Sequence, residues 1–172
     1  MMKYLKPLNL YQKLLKVRDV ERGRFLGLDV GNKYVGLAVS DFNNKVASPL
    51  SVLVRKKSNI GLMAIDFQHL MSELSISAFV VGYPYVRRSY CPDAAQVKAF
   101  VDELSETGKL EDVQYTYWEE CFTSKNTELL LKPLNIYPLS EAKTISDKFA
   151  AVGILQGYLD YVNRNVATEQ SQ

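Results

Sequence analysis

The sequence predicts an α/β fold, a three-layer sandwich in which helices cover both faces of a mixed sheet of five strands. Two β-rich runs, 25–31 and 34–40, are joined by a Gly-Asn turn, and a third run follows at 51–54. These three runs predict an antiparallel meander. The later run "SAFVVGYP" lacks polar alternation, which is typical of a parallel strand buried on both faces. A meander followed by alternating helix and strand patterns predicts the mixed, three-layer arrangement.

The helices are predicted from the spacing of apolar residues and from residues that begin or cap helices. Pro92 suits the first position of a helix, and Thr123 or Ser124 suits an N-cap. The fifth strand is the run "VQYTYWE". From this periodicity, the predicted helices cover about 8–17, 59–74, 92–105, 124–131 and 146–163.

The composition predicts one globular domain. The chain has 172 residues, of which 47% are hydrophobic, and this is enough for a sizeable core. We divide it into a basic N-terminal segment, 1–23, a main domain, 24–164, and a flexible tail, 165–172. The net charge of +2 permits a polyanionic partner but does not by itself predict one.

Cysteine usage and the N-terminus bear on the compartment. Cys91 and Cys121 are far apart and lack metal-ligand spacing, which favours a reducing compartment, the cytoplasm by default. No apolar run approaches the roughly 20 residues that span a bilayer, so no membrane partner is predicted. The N-terminal segment carries several Lys residues and one Arg before its first acid, Asp19, but no Ser. A short packed helix is favoured, and a plastid or mitochondrial targeting segment is the alternative.

Acidic residues occur where a packed α/β domain does not need them. Asp29 lies late in the first strand, Glu119 and Glu120 end the last strand, and Asp147 begins the last predicted helix. Each has a structural interpretation when taken singly: a turn former, a solvated strand end, and a complement to the helix dipole. The ends of neighbouring strands can nevertheless be close in space, so these acids can form one cluster.

The surroundings of Asp147 favour the cluster. Asp147, Ala150, Ala151, Ile154 and Tyr158 lie along one face of the predicted helix, and the alanines let that face approach the sheet closely. A carboxylate that faces a buried sheet needs a partner, because an unpaired buried charge is costly. Mg²⁺ takes oxygen ligands of this kind. Three or four clustered acids suit two-metal phosphoryl transfer, with the ions roughly 3.5–4 Å apart.

Four blocks of the sequence resemble a known family. In order, "GLDVGNKYVGLAVSD", "FVVGYP", "EECFTS" and "SDKFAAVGILQGYLD" are similar to the signature blocks of the YqgF/RuvX family. The resemblance covers roughly 24–160. It implies an RNase H-like fold with a mixed five-stranded sheet. The members of this family are Holliday-junction-resolvase-like proteins linked to maturation of the 5′ end of the small-subunit rRNA precursor, so the resemblance implies this activity too.

The resemblance also implies which acids bind metal. The family's first-strand aspartate falls on Asp29, its catalytic glutamate on Glu120, and its last aspartate on Asp147. These three residues would be the catalytic residues, and together they would bind two Mg²⁺ or Mn²⁺ ions. Lys33, just past the first strand, and Lys148 are candidates for contact with nucleic-acid phosphate.

The segment "YPYVRRSY" stands where the family has a Gly-rich loop. Arg87 and Arg88 can bind phosphate bidentately, and tyrosines such as Tyr85 and Tyr90 can stack on unpaired bases. The segment therefore suits a nucleic-acid contact. An ordinary exposed loop is the alternative.

The sequence predicts a Mg²⁺- or Mn²⁺-dependent endonuclease acting on structured nucleic acid, with precursor rRNA favoured over branched DNA. A non-catalytic nucleic-acid-binding module is one alternative, because Cys121 stands where the family has arginine. An actin-like ATPase is another, because the first block also looks like a phosphate loop, but 172 residues supply one lobe where two are needed. The oligomeric state is not indicated.

Overall fold

The fold is that of a computed structural model, which describes residues 1–17, 22–84, 92–119 and 139–170. Within these ranges a single sheet has the order β1-β6-β5-β2-β3-β4. Its strands are β1 (Lys3–Tyr4), β2 (Arg24–Val30), β3 (Tyr34–Ser40), β4 (Ala47–Val54), β5 (Ile76–Tyr83) and β6 (Gln114–Glu119). β2, β3 and β4 form the predicted antiparallel meander, while β5, β6 and β1 run parallel to β2. The predicted mixed sheet is confirmed.

The prediction of five strands was wrong, because β1 adds a sixth at the edge of the sheet. Lys3 pairs with Gln114, and its N–H donates to the carbonyl of Val113 at 2.8 Å. The N–H of Leu5 donates to the carbonyl of Tyr115 at 2.9 Å. A strand of two residues is too short to show a period of two, so no sequence pattern marks it.

The third strand is longer than the predicted 51–54, because it starts at Ala47. Pro49 lies inside it, opposite Ala38, next to an irregularity in the register with β3. Proline lacks an N–H and is confined to edge strands and bulges. β4 is an edge strand, so it tolerates the proline.

Helices cover both faces of the sheet. They are α1 (Pro7–Leu15), α2 (Ile60–Leu74), α3 (Pro92–Glu106) and α4 (Leu139–Gln170), with a 3₁₀ turn at Lys57–Asn59. α2 and α3 pack on one face, and α1 and α4 pack on the other, so the core has two separate clusters. This confirms the three-layer sandwich. The helix predicted at 124–131 lies outside the described residues.

The prediction for the last helix, 146–163, was too short at both ends. The helix starts at Leu139, directly after Pro138, and continues through the part predicted as a flexible tail to Gln170. Val166 packs against the core, and the side-chain amide of Asn165 donates to the carbonyl of Tyr161 at 2.7 Å. These contacts explain the extension. The division of the chain into segments and a main domain stays a prediction.

α1 is the short packed helix that the N-terminal segment predicted. Leu10, Tyr11 and Leu14 are buried against α4 and the sheet. The hydroxyl of Tyr158 donates to the carbonyl of Pro7 at 2.8 Å. No helix in the described part of the chain is long and apolar enough to cross a bilayer.

α4 packs very closely on β2 and runs antiparallel to it. The rings of Phe25 and Tyr158 meet edge to face, with their centres 5.4 Å apart. A Cβ on Gly27 would lie 2.7 Å from the Cβ of Leu155 and 3.2 Å from the carbonyl oxygen of Ala151. The absence of a side chain at Gly27 therefore lets α4 lie this close to β2. Moving towards the carboxyl end of β2 means moving towards the amino end of α4.

Candidate active site

Asp29 lies one residue before the end of β2, an interior strand of the sheet. Leu28 and Val30 pack into the cluster under α2 and α3, whereas Phe25 packs into the cluster under α4. Because side chains alternate along a strand, Asp29 faces α4 together with Phe25 and Gly27. Its side chain is half-buried.

Glycines flank Asp29 on both neighbouring strands. Gly36 of β3 is its register partner. On the other side, Leu28 pairs with Val81 of β5, so Gly82 follows beside Asp29. Neither glycine has a side chain to fill the face of the sheet beside the carboxylate. Asp29 is therefore the side chain that β2, β3 and β5 present to the α4 face at this level of the sheet.

Trp118 continues this row of residues on β6. It pairs with Gly82, and its ring centre lies 5.7 Å from that of Tyr158 and 5.0 Å from that of Tyr161. A Cβ on Gly157 would lie 3.0 Å from the indole nitrogen. Trp118 therefore faces α4, on the same side of the sheet as the row of Asp29.

The turn after Asp29 is held by Arg55, which follows β4. Within the turn, the N–H of Gly31 donates to the carbonyl of Tyr34 at 2.9 Å. Arg55 donates twice to the turn: its backbone N–H to the carbonyl of Lys33 at 2.7 Å, and its guanidinium to the carbonyl of Gly31 at 3.0 Å. One arginine thus fixes both ends of the segment that leads away from Asp29.

The guanidinium of Arg55 is packed as well as hydrogen-bonded. It lies 4.9 Å from the ring centre of Phe100 in α3. Burial lowers the pKa of Arg55 from its ordinary value, and the nearby Glu103 opposes this change. This residue was not predicted from the sequence. Its only signal was a cation directly after an apolar β-run, which is also typical of an ordinary strand end.

We expect Arg55→Lys to loosen this turn. Lysine keeps the charge, but it lacks the planar fork that reaches the Gly31 carbonyl while stacking on Phe100. Losing about 1 kcal/mol of local stabilisation would speed amide hydrogen exchange at Gly31 about fivefold. Arg164→Lys, an exposed position in α4, is the matched control. Unchanged exchange at Gly31 would remove Arg55 from this role.

The predicted site residues are described only in part. Asp29 is placed as above, and Lys33 is exposed in the turn. Three of the others lie wholly outside the described residues: Arg87, Arg88 and Glu120. For Asp147 and Lys148 the structure describes the backbone but not the side chain. In the ranges that the structure does describe, no group of three His, Cys, Asp or Glu side chains is placed to hold a metal ion.

Comparison with known proteins gives a consistent match. The family model described as "RuvX: Holliday junction resolvase" matches residues 23–161. A protein of Caldicellulosiruptor saccharolyticus is 36% identical over 142 residues, covering 81% of this chain and 99% of its own. A protein of Methylocella silvestris is 31% identical over 158 residues, covering 88% of this chain and 94% of its own. Both carry the name "Putative pre-16S rRNA nuclease".

Among solved structures, the Thermus thermophilus RuvC bound to a Holliday junction substrate is similar to this chain at a TM-score of 0.48. The two are 14% identical, and the match covers 81% of this chain and 95% of that one.

Proposed function

Because the chain belongs to the RuvX family of Holliday junction resolvases, we propose that it is a nuclease that cleaves precursor small-subunit rRNA. The relatives that carry the pre-16S rRNA nuclease name match most of this chain and nearly all of their own length. Branched DNA is the second candidate substrate, because the description of the family names Holliday junction resolvases. The cytoplasm is the proposed compartment.

We propose Asp29, Glu120 and Asp147 as the catalytic acids. The path of α4 supports Asp147: Gly27 lies against Ala151, and two residues further along β2 the helix is about one turn nearer its start. This step leads from Ala151 to position 147 opposite Asp29. The helix starts at Leu139, so position 147 lies beyond the first turn, and it is within the first turn that a carboxylate complements the helix dipole. This supports a role for Asp147 other than the dipole role.

The alternation along β6 supports Glu120 over Glu119. Trp118 faces α4, as Asp29 does, so Glu119 has the opposite orientation and is exposed. An exposed Glu119 on the other face is a poor partner for Asp29 in one metal site. This leaves Glu120, the glutamate that the family resemblance also selects.

The site suits a hard divalent cation. The carboxylate of Asp29 is half-buried near the end of β2, so its oxygens are partly accessible, and the neighbouring positions on β3 and β5 are glycines. Oxygen ligands are those that Mg²⁺ and Mn²⁺ prefer. We propose that Asp29, Glu120 and Asp147 hold two such ions. When bound, these ions supply the activation of water and the charge stabilisation that phosphodiester hydrolysis needs.

Cationic residues would hold the substrate backbone around these acids. Lys33 is exposed in the turn that follows Asp29, so it can neutralise a phosphate at the edge of the site. We propose the same role for Arg87, Arg88 and Lys148. Each phosphate contact releases counterions, so binding should weaken as salt rises.

The test is hydrolysis of a 5′-extended small-subunit rRNA fragment and, separately, of a four-way DNA junction. We expect the purified chain to cleave the RNA with Mg²⁺ or Mn²⁺ added, and to be inactive in excess chelator. Faster cleavage of the junction would make DNA the substrate. Saturable RNA binding without cleavage under any metal condition would contradict the nuclease proposal and favour the binding module.

A further inference from the structure

A second cleft lies at the end of the sheet opposite Asp29. It has a volume of about 490 Å³ and is open to solvent. Asp29 is five residues along β2 from Arg24, where this end of the sheet begins, a separation of about 16 Å. The cleft is therefore outside the proposed active site. It is lined by Tyr11, Arg22, Phe42, Asn43, Lys45 and Asn163.

The loop between β3 and β4 forms one wall of the cleft and is held from within. Asn44 is buried with a left-handed backbone, at φ 54°. Its side chain accepts from the hydroxyl of Ser40 at 2.5 Å and donates to the carbonyl of Gly23 at 3.0 Å. The carboxylate of Asp41 accepts from the N–H of Lys45 at 2.8 Å. These bonds fix the loop in one conformation.

α4 holds the same loop from outside. The side chain of Gln156 donates to the carbonyl of Lys45 and accepts from the N–H of Ala47, both at 2.8 Å. Asn163 donates to the carbonyl of Asn44 at 2.9 Å, and it accepts from the hydroxyl of Tyr11 at 2.9 Å. Two amide side chains, Gln156 and Asn163, thus position an exposed loop, and Tyr11 holds Asn163 in place. This degree of preorganisation is typical of a binding site.

The lining carries two aromatic side chains, Tyr11 and Phe42, and two cations, Arg22 and Lys45. The ring of Phe42 is 70% exposed, and the guanidinium of Arg24 lies over it, 4.4 Å from the ring centre. Arg22 is anchored by a hydrogen bond from its guanidinium to the carbonyl of Leu15 at 3.2 Å, and Lys45 is exposed. The two cations beside the exposed ring suit an anion that carries a flat, apolar group.

We propose that this cleft binds a nucleotide, with its phosphate on Arg22 and Lys45 and its base stacked on Phe42. Stacking on an aromatic ring tolerates any base, and the amide of Asn43 can bond a base edge or a sugar hydroxyl. The nucleotide is either part of an RNA strand or a free mononucleotide. If the nucleotide is part of an RNA strand, the inference rests on the proposed function. The cleft would then bind a part of the substrate that is distant from the bond to be cleaved.

The experiment measures binding of a short, fluorescently labelled single-stranded RNA in excess chelator, with unlabelled RNA and AMP as competitors. The double variant Phe42→Leu, Lys45→Gln should bind the RNA about tenfold more weakly, with a salt slope reduced by about 0.7. Both side chains are exposed, so the fold should be retained, and thermal unfolding checks this. Lys98→Gln, an exposed position in α3 on the other face of the sheet, should bind as the wild type does.

The outcomes separate the ligands and the two proposals. If AMP displaces the labelled RNA with an affinity equal to that of the RNA, the ligand is a free nucleotide. If only unlabelled RNA displaces it, the ligand is an RNA strand. Equal binding by the double variant and the wild type, or no saturable binding of RNA or AMP by the wild type, would overturn the proposal. The assay contains no metal and involves no cleavage, so an inactive nuclease would leave its result unaffected.

Discussion

Asp29→Asn is expected to abolish hydrolysis of the precursor rRNA fragment, lowering kcat/KM by at least about a thousandfold. The substitution keeps the shape of the side chain but removes its charge, and a neutral amide is a poorer ligand than carboxylate for a hard cation. A loss of several kcal/mol of transition-state stabilisation corresponds to this factor. The measurement is single-turnover hydrolysis with saturating Mg²⁺, alongside calorimetric titration of Mn²⁺, which should bind more weakly.

Asp66→Asn is the matched control for this substitution. Asp66 is exposed on α2, away from the face of the sheet that carries Asp29, so its replacement should leave hydrolysis unchanged. Thermal unfolding of both variants tests whether the fold is retained. Equal activity of Asp29→Asn and wild type, at matched purity, would rule out Asp29 as a ligand.

Gly27→Ala is expected to lower the free energy of unfolding by about 1–3 kcal/mol, the usual cost of overpacking a core. The new Cβ would lie 2.7 Å from the Cβ of Leu155 and 3.2 Å from a backbone oxygen of α4, so the helix itself must move. Because α4 also carries Asp147, we expect hydrolysis to fall at temperatures where the variant is still folded. Denaturant unfolding and the hydrolysis assay measure the two effects.

The same substitution at Gly61 provides the contrast. A Cβ at Gly61 would have no atom within 4 Å, and Gly61 lies in α2, where alanine is favoured over glycine by up to about 1 kcal/mol. Gly61→Ala should therefore be neutral or stabilising. If Gly27→Ala unfolded at the same denaturant concentration as Gly61→Ala, the close approach of α4 would not make a side chain at position 27 destabilising.

The sequence predicted the elements whose signals are local. The runs that form β2 and β3 are apolar and joined by a turn, and α2 has a clear helical period, so their positions were confirmed within a residue or two. The start of α4 was missed because Asp147 resembled a first-turn acid. The run of helix formers after Pro138 was the better signal.

The parts that could not be predicted depend on contacts between distant segments. β1 is a strand only because Gln114 and its neighbours complete the pairing. Arg55 acts across the sheet on the turn at Gly31, and Asn163 positions a loop more than a hundred residues earlier. The grouping of the three acids is of the same kind. Asp29 was chosen by its place in a strand, and its assembly with Glu120 and Asp147 stays a prediction.

The docking of the first segment beside the last elements has a consequence for synthesis on the ribosome. β1 pairs with β6, and α1 packs on α4 through the hydrogen bond between Pro7 and Tyr158. Leu10 and Leu14 therefore stay uncovered until α4, which is made more than a hundred residues later, has emerged. Such long-range closure slows folding and prolongs exposure of apolar surface. β1 and α1 can therefore take their final places only after β6 and the part of α4 around Tyr158 have left the ribosome.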